Sequence, residues 1–415
     1  MIPVEKALAI VLSRTPTLPA EEVEFTEACG RMLREDVTAD MDLPPFRRSA
    51  VDGFAVRASD TSCPPVKLRL VGNVPAGIYP DFRVGPGETA SIMTGAPVPE
   101  GADAVEMVED SRENEDEVVL LSSVAPGQNV SPQGAEVRRG EVVLRSGTRL
   151  DSAAIAVAAT VGKTRLLAGR RPTVSVAATG DELVHPSAAP GPGQIRNSNG
   201  FSLLAQCRSA GIEARFLGVA LDSEPSLRGF IERGLEADVL LLSGGVSMGR
   251  YDLVEKVLAE FGVEILVDAV ALKPGKPLVF GTAGDGKLVF GLPGNPVSTM
   301  VTFELFVRTA LARLEGAPNP ARPILRARLL DSVANRGPRR AYLPCWLGTG
   351  ETGGLEAAPI PSKGSADIVA FSKANALLIV PEERDRLEPG EDVSVYPLDG
   401  FLHKEDRWLA ARKPD

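Results

Sequence analysis

The sequence predicts an α/β multidomain protein built around a doubly wound parallel α/β domain. Three observations lead there. From Arg171 to about Gly316, apolar runs of strand length alternate with helical stretches, the pattern of a parallel sheet with helices on both faces. From Ser49 to about Arg139, short apolar runs alternate with Pro/Gly turns and helical periodicity is missing, which reads as a compact β-rich domain. After Pro318-Asn319-Pro320, a last β-rich unit runs to about Tyr396.

Taken in order, residues 1–45 read as helical up to the Pro44-Pro45 stop. The opening MIPVEKALAIVLSR sets Glu5 and Lys6 among apolar residues at helical spacing, so it resembles an amphipathic surface helix more than a signal peptide. GFAVR, KLRLVG, ASIMTG, AVEMVE and EVVLL are the strand candidates of the β-rich domain, residues 46–139. The acidic run Glu109 to Glu117 reads as a solvated hairpin tip. Residues 140–168 hold a second helical stretch, Asp151 to Val161, expected to pack on the first and form with residues 1–45 a helical linker domain. The doubly wound domain, 169–317, reads PTVSVAA, SNGFSLLAQCRSAG, EARFLGVA, EPSLRGFIERGL and DVLLLSGG in turn. A C-terminal β domain, 318–400, and a tail, 401–415, complete the chain.

The segment from Leu240 to Pro296 concentrates the chemistry: LLLSGGVSMGRYD, ALKPGKPLVFG and VFGLPGNPVS are three Gly-rich turns, each attached to an apolar run. Val239 to Leu242 stops at Ser243-Gly244-Gly245, and a helical pattern follows from Tyr251 to Phe261. A strand, a Gly turn and a helix together aim backbone N–H groups and the positive helix end at one point, where an anion sits well. Leu288 to Leu292 repeats this, with GLPGNP opening the helical stretch Val297 to Leu314. Ligands of doubly wound sheets bind at the carboxyl ends of the strands, where these turns fall. Lys273 and Lys276 lie three apart in KPGKP, whose prolines prevent a regular helix. At about 4 Å a lysine–anion pair contributes roughly 1 kcal/mol in water and about 4 kcal/mol at an intermediate dielectric. Two lysines therefore matter when the loop holds them together. Ser243, Ser247, Lys273, Lys276, Asn295 and Ser298 point to a phosphate-bearing or oxyanionic ligand.

Composition sets the limits. At 415 residues, 44% hydrophobic and 24% charged, the chain is ordinary globular protein of two to four domains. A net charge of −10 argues against nucleic-acid binding over a broad basic face, so an anion needs a locally basic pocket. Cys29, Cys63, Cys207 and Cys345 form no CxxC pair and read as reduced thiols. Only His185 and His403 are present, which disfavours His-rich metal sites and Ser-His-Asp catalysis. The longest apolar run, Ala153 to Val161, is too short to cross a bilayer. A cytoplasmic protein without membrane insertion is expected.

Six motifs in fixed order carry a family resemblance: DLPPFRRSAVDGFAVR (42–57), IMTGAPVPEGADAV (92–105), TGDEL (179–183), GGVSMG (244–249), LKPGKP (272–277) and GLPGNPVS (291–298). Together they resemble the molybdopterin molybdenumtransferases, the family that includes the C-terminal domain of gephyrin, over about residues 1–400. The resemblance implies a molybdopterin-binding type of doubly wound domain, a C-terminal domain of β-barrel-like form and an elongated homodimer. It implies insertion of molybdate into the dithiolene of adenylyl-molybdopterin, with Mg²⁺-dependent release of AMP. The cleft implied lies between the doubly wound domain of one subunit and the β-rich domain of the other. The molybdopterin adenylyltransferase and apo-molybdoenzymes are the implied protein partners.

Matched onto this sequence, the roles fall as follows. Asp222 and Asp252 are the candidate Mg²⁺ carboxylates, since Mg²⁺ takes one or two protein carboxylates with phosphate oxygens and water; each is equally placed to cap a helix. Lys273 and Lys276 would hold molybdate or phosphate oxygens. Ser243, Gly244, Gly245, Ser247, Gly294, Asn295, Pro296 and Ser298 would contact pterin phosphate and nucleotide. Thr179, Asp181 and Glu182 end the first strand of the sheet, where Glu182 matches a functional carboxylate of the family; a turn carrying a helix-dipole carboxylate is the structural alternative. Asn197 and Asn199 in QIRNSNG are nucleotide contacts or helix caps. Asp52 in VDG and Thr94 in MTG match residues projected across the dimer interface, or are turn formers beside glycine. Glu136 in GAEVRRG stands where the family commonly has Asp. Ser365 in KGSAD and Arg339 or Arg340 in GPRRAY match a molybdate-holding Ser and Arg.

Three departures from the pattern stand out: Arg250 after GGVSMG in place of an acid, Arg47-Arg48 after PPF, and Pro344 in the last domain. They leave the core set in place and leave room for another oxyanion such as tungstate. A second reading is a gephyrin-like scaffold for a peptide of a membrane or cytoskeletal protein, which has no need of Asp52, Glu182, Asp222, Asp252 and both lysines. A third, an adenylyltransferase, leaves the β-rich domain unexplained.

Overall fold

The computed structural model describes residues 1–245, 251–284, 286–335, 337–350 and 353–399, without the side chains of residues 251 and 252. Ser247, Arg250, the side chain of Asp252 and the tail 401–415 lie outside the described residues. Two compact units result: Met1–Glu22, Gly30–Arg34 and Leu167–Asp415 form one, and Val23–Cys29 with Glu35–Leu166 the other.

The first unit is organised by a six-stranded sheet, β1 (Val174–Thr179), β2 (Ala214–Ala220), β3 (Val239–Ser243), β4 (Val263–Val267), β5 (Val279–Ala283) and β6 (Lys287–Leu292), in the order β2-β1-β3-β6-β5-β4. These strands are runs of apolar residues because both faces are covered. Val174, Val176, Val239, Leu241, Leu288 and Phe290 pack on one side with the helices Val4–Arg14 and Asn199–Ser209 and the helical segment 296–314. Ala177, Leu240, Leu242 and Val289 pack on the other with Glu224–Gly234 and Tyr251–Glu260. The doubly wound expectation is borne out, with one correction. β2, β1, β3 and β6 pair in parallel, but β5 is antiparallel to both of its neighbours. Three residues separate β5 from β6, and a parallel connection needs roughly a dozen or more.

The five strands Leu325–Leu329, Arg340–Thr349, Leu355–Pro359, Ala376–Val380 and Asp392–Pro397 close into a barrel, because Arg340–Thr349 pairs with both Leu355–Pro359 and Ala376–Val380. Closure leaves no free edge and encloses its own core, which includes Leu329, Cys345, Leu347, Leu378 and Val395. Outside the ring, Leu272–Lys273 pairs in parallel with Arg340 and Ala341. The KPGKP loop is therefore stitched to the barrel.

The second unit holds the expected β-rich sheet, ordered Ala104–Met107, Gly53–Val56, Glu88–Ile92, Val66–Val74, Glu117–Leu120, Ser111–Asn114. The acidic run forms the hairpin of its last two strands. The helical expectation for residues 1–45 is overturned beyond Val4–Arg14: Ala20–Glu24 and Val37–Thr38 are extended and only a short 3-10 turn, Phe25–Glu27, intervenes. Pro16 and Pro19 stop the helix by removing donors and restricting the residues before them. The helix Val4–Arg14 buries Val4, Ala7 and Val11 against the α/β core. The helix Ser152–Thr160, capped by Asp151, packs instead on Phe25–Glu27 and on Val142–Leu144. Its buried residues are two alanines, too little apolar area to hold a long amphipathic partner.

Candidate functional site

β1 and β3 are neighbours, and the chain leaves them toward opposite sides of the sheet, so their carboxyl ends open a crevice at a topological switch point. Thr179 ends β1, Ser243 ends β3 and Pro293-Gly294-Asn295 follows β6. The two Gly turns touch: the Gly244 N–H donates to the Leu292 carbonyl at 3.1 Å. Gly244 and Gly245 have φ of +93° and +70°. A Cβ on Gly244 would lie 2.6 Å from the Thr179 carbonyl oxygen, and one on Gly245 would lie 2.7 Å from its hydroxyl. Both positions thus require glycine for conformation and for space.

Asn199 joins the turns. Its Nδ2 donates to Ser243 Oγ at 2.9 Å and to the Gly294 carbonyl at 2.8 Å. It caps nothing; the cap-type bond of this helix comes from Asn197, whose Oδ1 accepts from the Gly200 N–H at 3.0 Å. Asn295 precedes the helix starting at Pro296, yet its side chain turns away and donates to Ser365 Oγ at 3.0 Å. The Val297 N–H donates to the Ser365 carbonyl at 3.1 Å. The GNP turn and the KGS loop are in this way held together.

Two cavities lie around this knot. One, of about 960 Å³, is lined by Thr179, Glu182, Arg196, Asn197, Asn199, Ser243, Gly244, Gly245, Gly294, Asn295, Pro296 and Ser298 among others. Among the described residues, three buried polar atoms of its lining find no hydrogen-bond partner: Thr179 Oγ1, Asn197 Nδ2 and Asn199 Oδ1. Buried polar groups are rarely left so. The other cavity, of about 780 Å³, is lined by Lys273, Lys276, Arg339, Lys363, Ser298, Asn295 and Ser365, with Asp331 the one acidic side chain among the described residues that line it. The two share Asn295, Ser298 and Pro277 and so adjoin. An acidic protein has here the basic pocket that its sequence requires.

The remaining candidates are placed as follows. Arg339 lines the basic cavity and donates to the Leu272 carbonyl at 3.1 Å. Arg340 leaves in another direction, bonding Glu5 and Glu382 beside a separate apolar groove under the helix Val4–Arg14. Pro344 lines the basic cavity. Asp181 and Asp222 clasp each other at the ends of β1 and β2: Asp222 N–H donates to Asp181 Oδ1 at 3.0 Å and Asp181 N–H to Asp222 Oδ2 at 3.3 Å. The cap position of the following helix is Ser223, not Asp222. A strand, Leu183–Val184, follows the TGDEL turn, so Glu182 sits on no helix dipole. Lys363 was not evident from sequence as a lining residue, although it stands two positions before Ser365.

Asp52, Thr94 and Glu136 belong to the β-rich unit. The Thr94 N–H and hydroxyl both donate to Asp52 Oδ1, at 2.6 and 2.8 Å. The backbone bond first, and the hydroxyl bond second, hold the exposed Asp52 carboxyl below the usual aspartate range. Glu136 pairs with Arg48 at 2.7 Å.

Residues 2–162 match the MoeA N-terminal region (domain I and II), residues 175–313 a probable molybdopterin binding domain and residues 326–398 the MoeA C-terminal region (domain IV). The molybdopterin molybdenumtransferase of Nostoc sp. is 34% identical, the alignment covering 94% of this chain and 92% of that one. That of Staphylococcus epidermidis is 32% identical, over 98% and 97%. Among solved structures, the molybdopterin biosynthesis MoeA protein from Pyrococcus horikoshii OT3 superposes with a TM-score of 0.82 at 32% identity, covering 96% of this chain and all of that one. Likeness in sequence and fold over nearly the full length places this chain in the molybdopterin molybdenumtransferase family, enzymes of molybdenum cofactor biosynthesis.

Proposed function

We propose that this protein inserts molybdate into the dithiolene of adenylyl-molybdopterin and releases AMP. The observation that carries the reading is the pair of adjoining cavities, one with three unpartnered buried polar atoms and one with four cations. A pterin nucleotide brings both donors and acceptors, which Thr179 Oγ1, Asn197 Nδ2 and Asn199 Oδ1 lack. Its phosphates suit the backbone N–H groups of Gly245 and of the Gly294-Asn295 turn. Molybdate suits the basic cavity, where Lys273, Lys276, Arg339 and Ser365 supply charge and hydrogen bonds. The dithiolene would meet it where the cavities join, at Asn295 and Ser298. Two Mo–S bonds form as one Mo–O bond breaks, the departing oxide leaving as water with the two thiol protons, and one water adds across the phosphoanhydride to give AMP and the phosphate of molybdopterin.

A divalent cation fits the clasped carboxylates at the ends of β1 and β2. Carboxylates are the protein ligands that Mg²⁺ prefers, and Asp222, with Asp181 clasped to it, would hold it at the ends of β1 and β2; Asp252 is the second carboxylate expected from the sequence. When bound it would neutralise charge on the phosphate oxygens as AMP leaves. Asp52, kept ionised by Thr94, is proposed to reach the cleft of a second copy in a homodimer, as a base or a further carboxylate. Cytoplasmic action is part of the same proposal; among the described residues no helix is long and apolar enough to cross a membrane. The scaffold reading is not favoured, since relatives aligned over nearly the full chain carry the transferase name.

Reconstitution tests the proposal. Protein, adenylyl-molybdopterin, Mg²⁺ and molybdate are mixed, and AMP release and activation of a cofactor-free molybdoenzyme are followed. Molybdate-dependent release with activation is expected; nucleotide binding without turnover would sink it.

A further inference from the structure

We infer that Asn335 is a positioning residue for the oxyanion cavity, setting the direction of Lys273 and the path of the chain at Arg339. Asn335 is fully buried, directly after the short strand Val333–Ala334. Its Oδ1 accepts from Lys273 Nζ at 3.2 Å, and its Nδ2 donates to the Arg339 carbonyl at 2.9 Å. Its own N–H donates to the Asp385 carbonyl at 2.8 Å, so its backbone is itself fixed. One amide thus spans two cationic walls of the cavity, which reach it from separate segments. A buried asparagine is costly unless its groups are used, and here its oxygen and its nitrogen each serve a different cation-bearing segment.

The residue type matters. An amide oxygen orients an ammonium without adding a negative charge of its own, whereas a carboxylate there would draw the same ammonium and cancel part of the field that holds an anion. A serine or alanine would not reach both partners. The inference rests on the proposed use of this cavity for molybdate. Its residues, however, can be probed apart from turnover.

The test uses the full chain with Asn335→Leu, near in size and without either bond, and Asn335→Asp. The molybdate concentration for half-maximal AMP release should rise roughly tenfold in each, in Asn335→Leu through the lost hydrogen bond to a charged group and in Asn335→Asp through the carboxylate that cancels part of the field. Affinity for adenylyl-molybdopterin should stay within about twofold, because its cavity is lined by other residues. A second readout is the NMR signal of Lys273 as its ¹³C-methylated amine, assigned by loss of the signal in Lys273→Arg. Its chemical shift should move in Asn335→Leu, where the bond is gone, and in Asn335→Asp, where a carboxylate faces it. Should Asn335→Leu fail to fold, Asn335→Asp decides by both readouts. Unchanged molybdate dependence and an unchanged Lys273 signal in a folded variant would overturn the inference. Should the wild type show no molybdate-dependent turnover, the functional proposal falls alone, and the Lys273 signal still decides whether Asn335 holds it.

Discussion

Replacing Asn199 with alanine is the most informative single perturbation of the nucleotide side. Its Nδ2 makes two hydrogen bonds, to Ser243 Oγ at 2.9 Å and to the Gly294 carbonyl at 2.8 Å. Each is worth about 0.5–1.5 kcal/mol net, so their loss costs about 1–3 kcal/mol. These bonds tie together two turns that already have partners in the sheet, so the loss should fall on the geometry of the cavity more than on the fold. Expressed wholly in binding, it is a weakening of roughly 5- to 150-fold. The unpartnered Asn199 Oδ1 adds to this if the ligand donates to it. Calorimetry with adenylyl-molybdopterin, beside a thermal melt of the same protein, separates the two sinks. Asn199→Asp is the companion variant, since it keeps the size and acceptors but loses the two-handed donor and faces a carbonyl with a charge. Affinity within twofold of wild type in both variants, with only the melting temperature lowered, would refute the assignment and leave Asn199 a structural tie.

Four further outcomes are expected. Asp52→Ala should abolish molybdate insertion while nucleotide affinity stays within about twofold; unchanged turnover means the carboxylate is not used. Thr94→Val removes the hydroxyl bond to Asp52 and should raise the aspartate pKa toward its ordinary value. The ionised form is then lost at a higher pH on acidification, so the acid limb of the rate profile moves up, and an unmoved limb excludes Asp52 as the group it reports. Lys276→Ala should raise the molybdate requirement roughly tenfold and leave nucleotide binding alone; equal loss of both would assign Lys276 to a phosphate. Gly244→Ala imposes about 1–2 kcal/mol of left-handed strain and a 2.6 Å contact with backbone, and should lower nucleotide affinity at least tenfold; a variant of full affinity would show that the turn is not part of the site.

Much of this was legible in the sequence, and the limits have physical causes. Strands β1, β3 and β6 announce themselves as apolar runs because both faces of the sheet are covered. The direction of β5 does not show in its residues, which look alike in either sense; it follows from the three-residue link to β6. The early helix was overextended, since periodicity weakens gradually while Pro16 and Pro19 end it abruptly. Arg339 and Arg340 are equivalent as letters, but neighbours on an extended chain point to opposite sides, and only Arg339 lines the cavity. Asn335 was invisible, standing 62 positions from the lysine it binds. The clasp of Asp181 with Asp222, 41 positions apart, was hidden for the same reason, although both residues were nominated singly.

How a protein of net charge −10 draws an oxyanion is answered by where its charges sit. Beyond about 10 Å at ordinary ionic strength, the acidic surface is largely screened. A concave wall is less so, because low-dielectric protein surrounds the field. Lys273 and Lys276 come from the KPGKP loop, Arg339 from the approach to a barrel strand and Lys363 from the loop before Ser365. Four like charges drawn from three segments repel one another, so they would spread unless the segments were fixed independently of the ligand. Pairing of Leu272–Lys273 with Arg340 and Ala341 fixes the first two segments together. The bonds from Asn295 and Val297 to Ser365 fix the third. The repulsion is then stored in a rigid frame and relieved when a dianion enters. Raising the ionic strength should therefore weaken molybdate binding more steeply than nucleotide binding, because the nucleotide cavity sets one cation, Arg196, and one carboxylate, Glu182, among neutral amides and hydroxyls. Parallel salt dependences, measured calorimetrically on the same preparation, would contradict this division of labour between the two cavities.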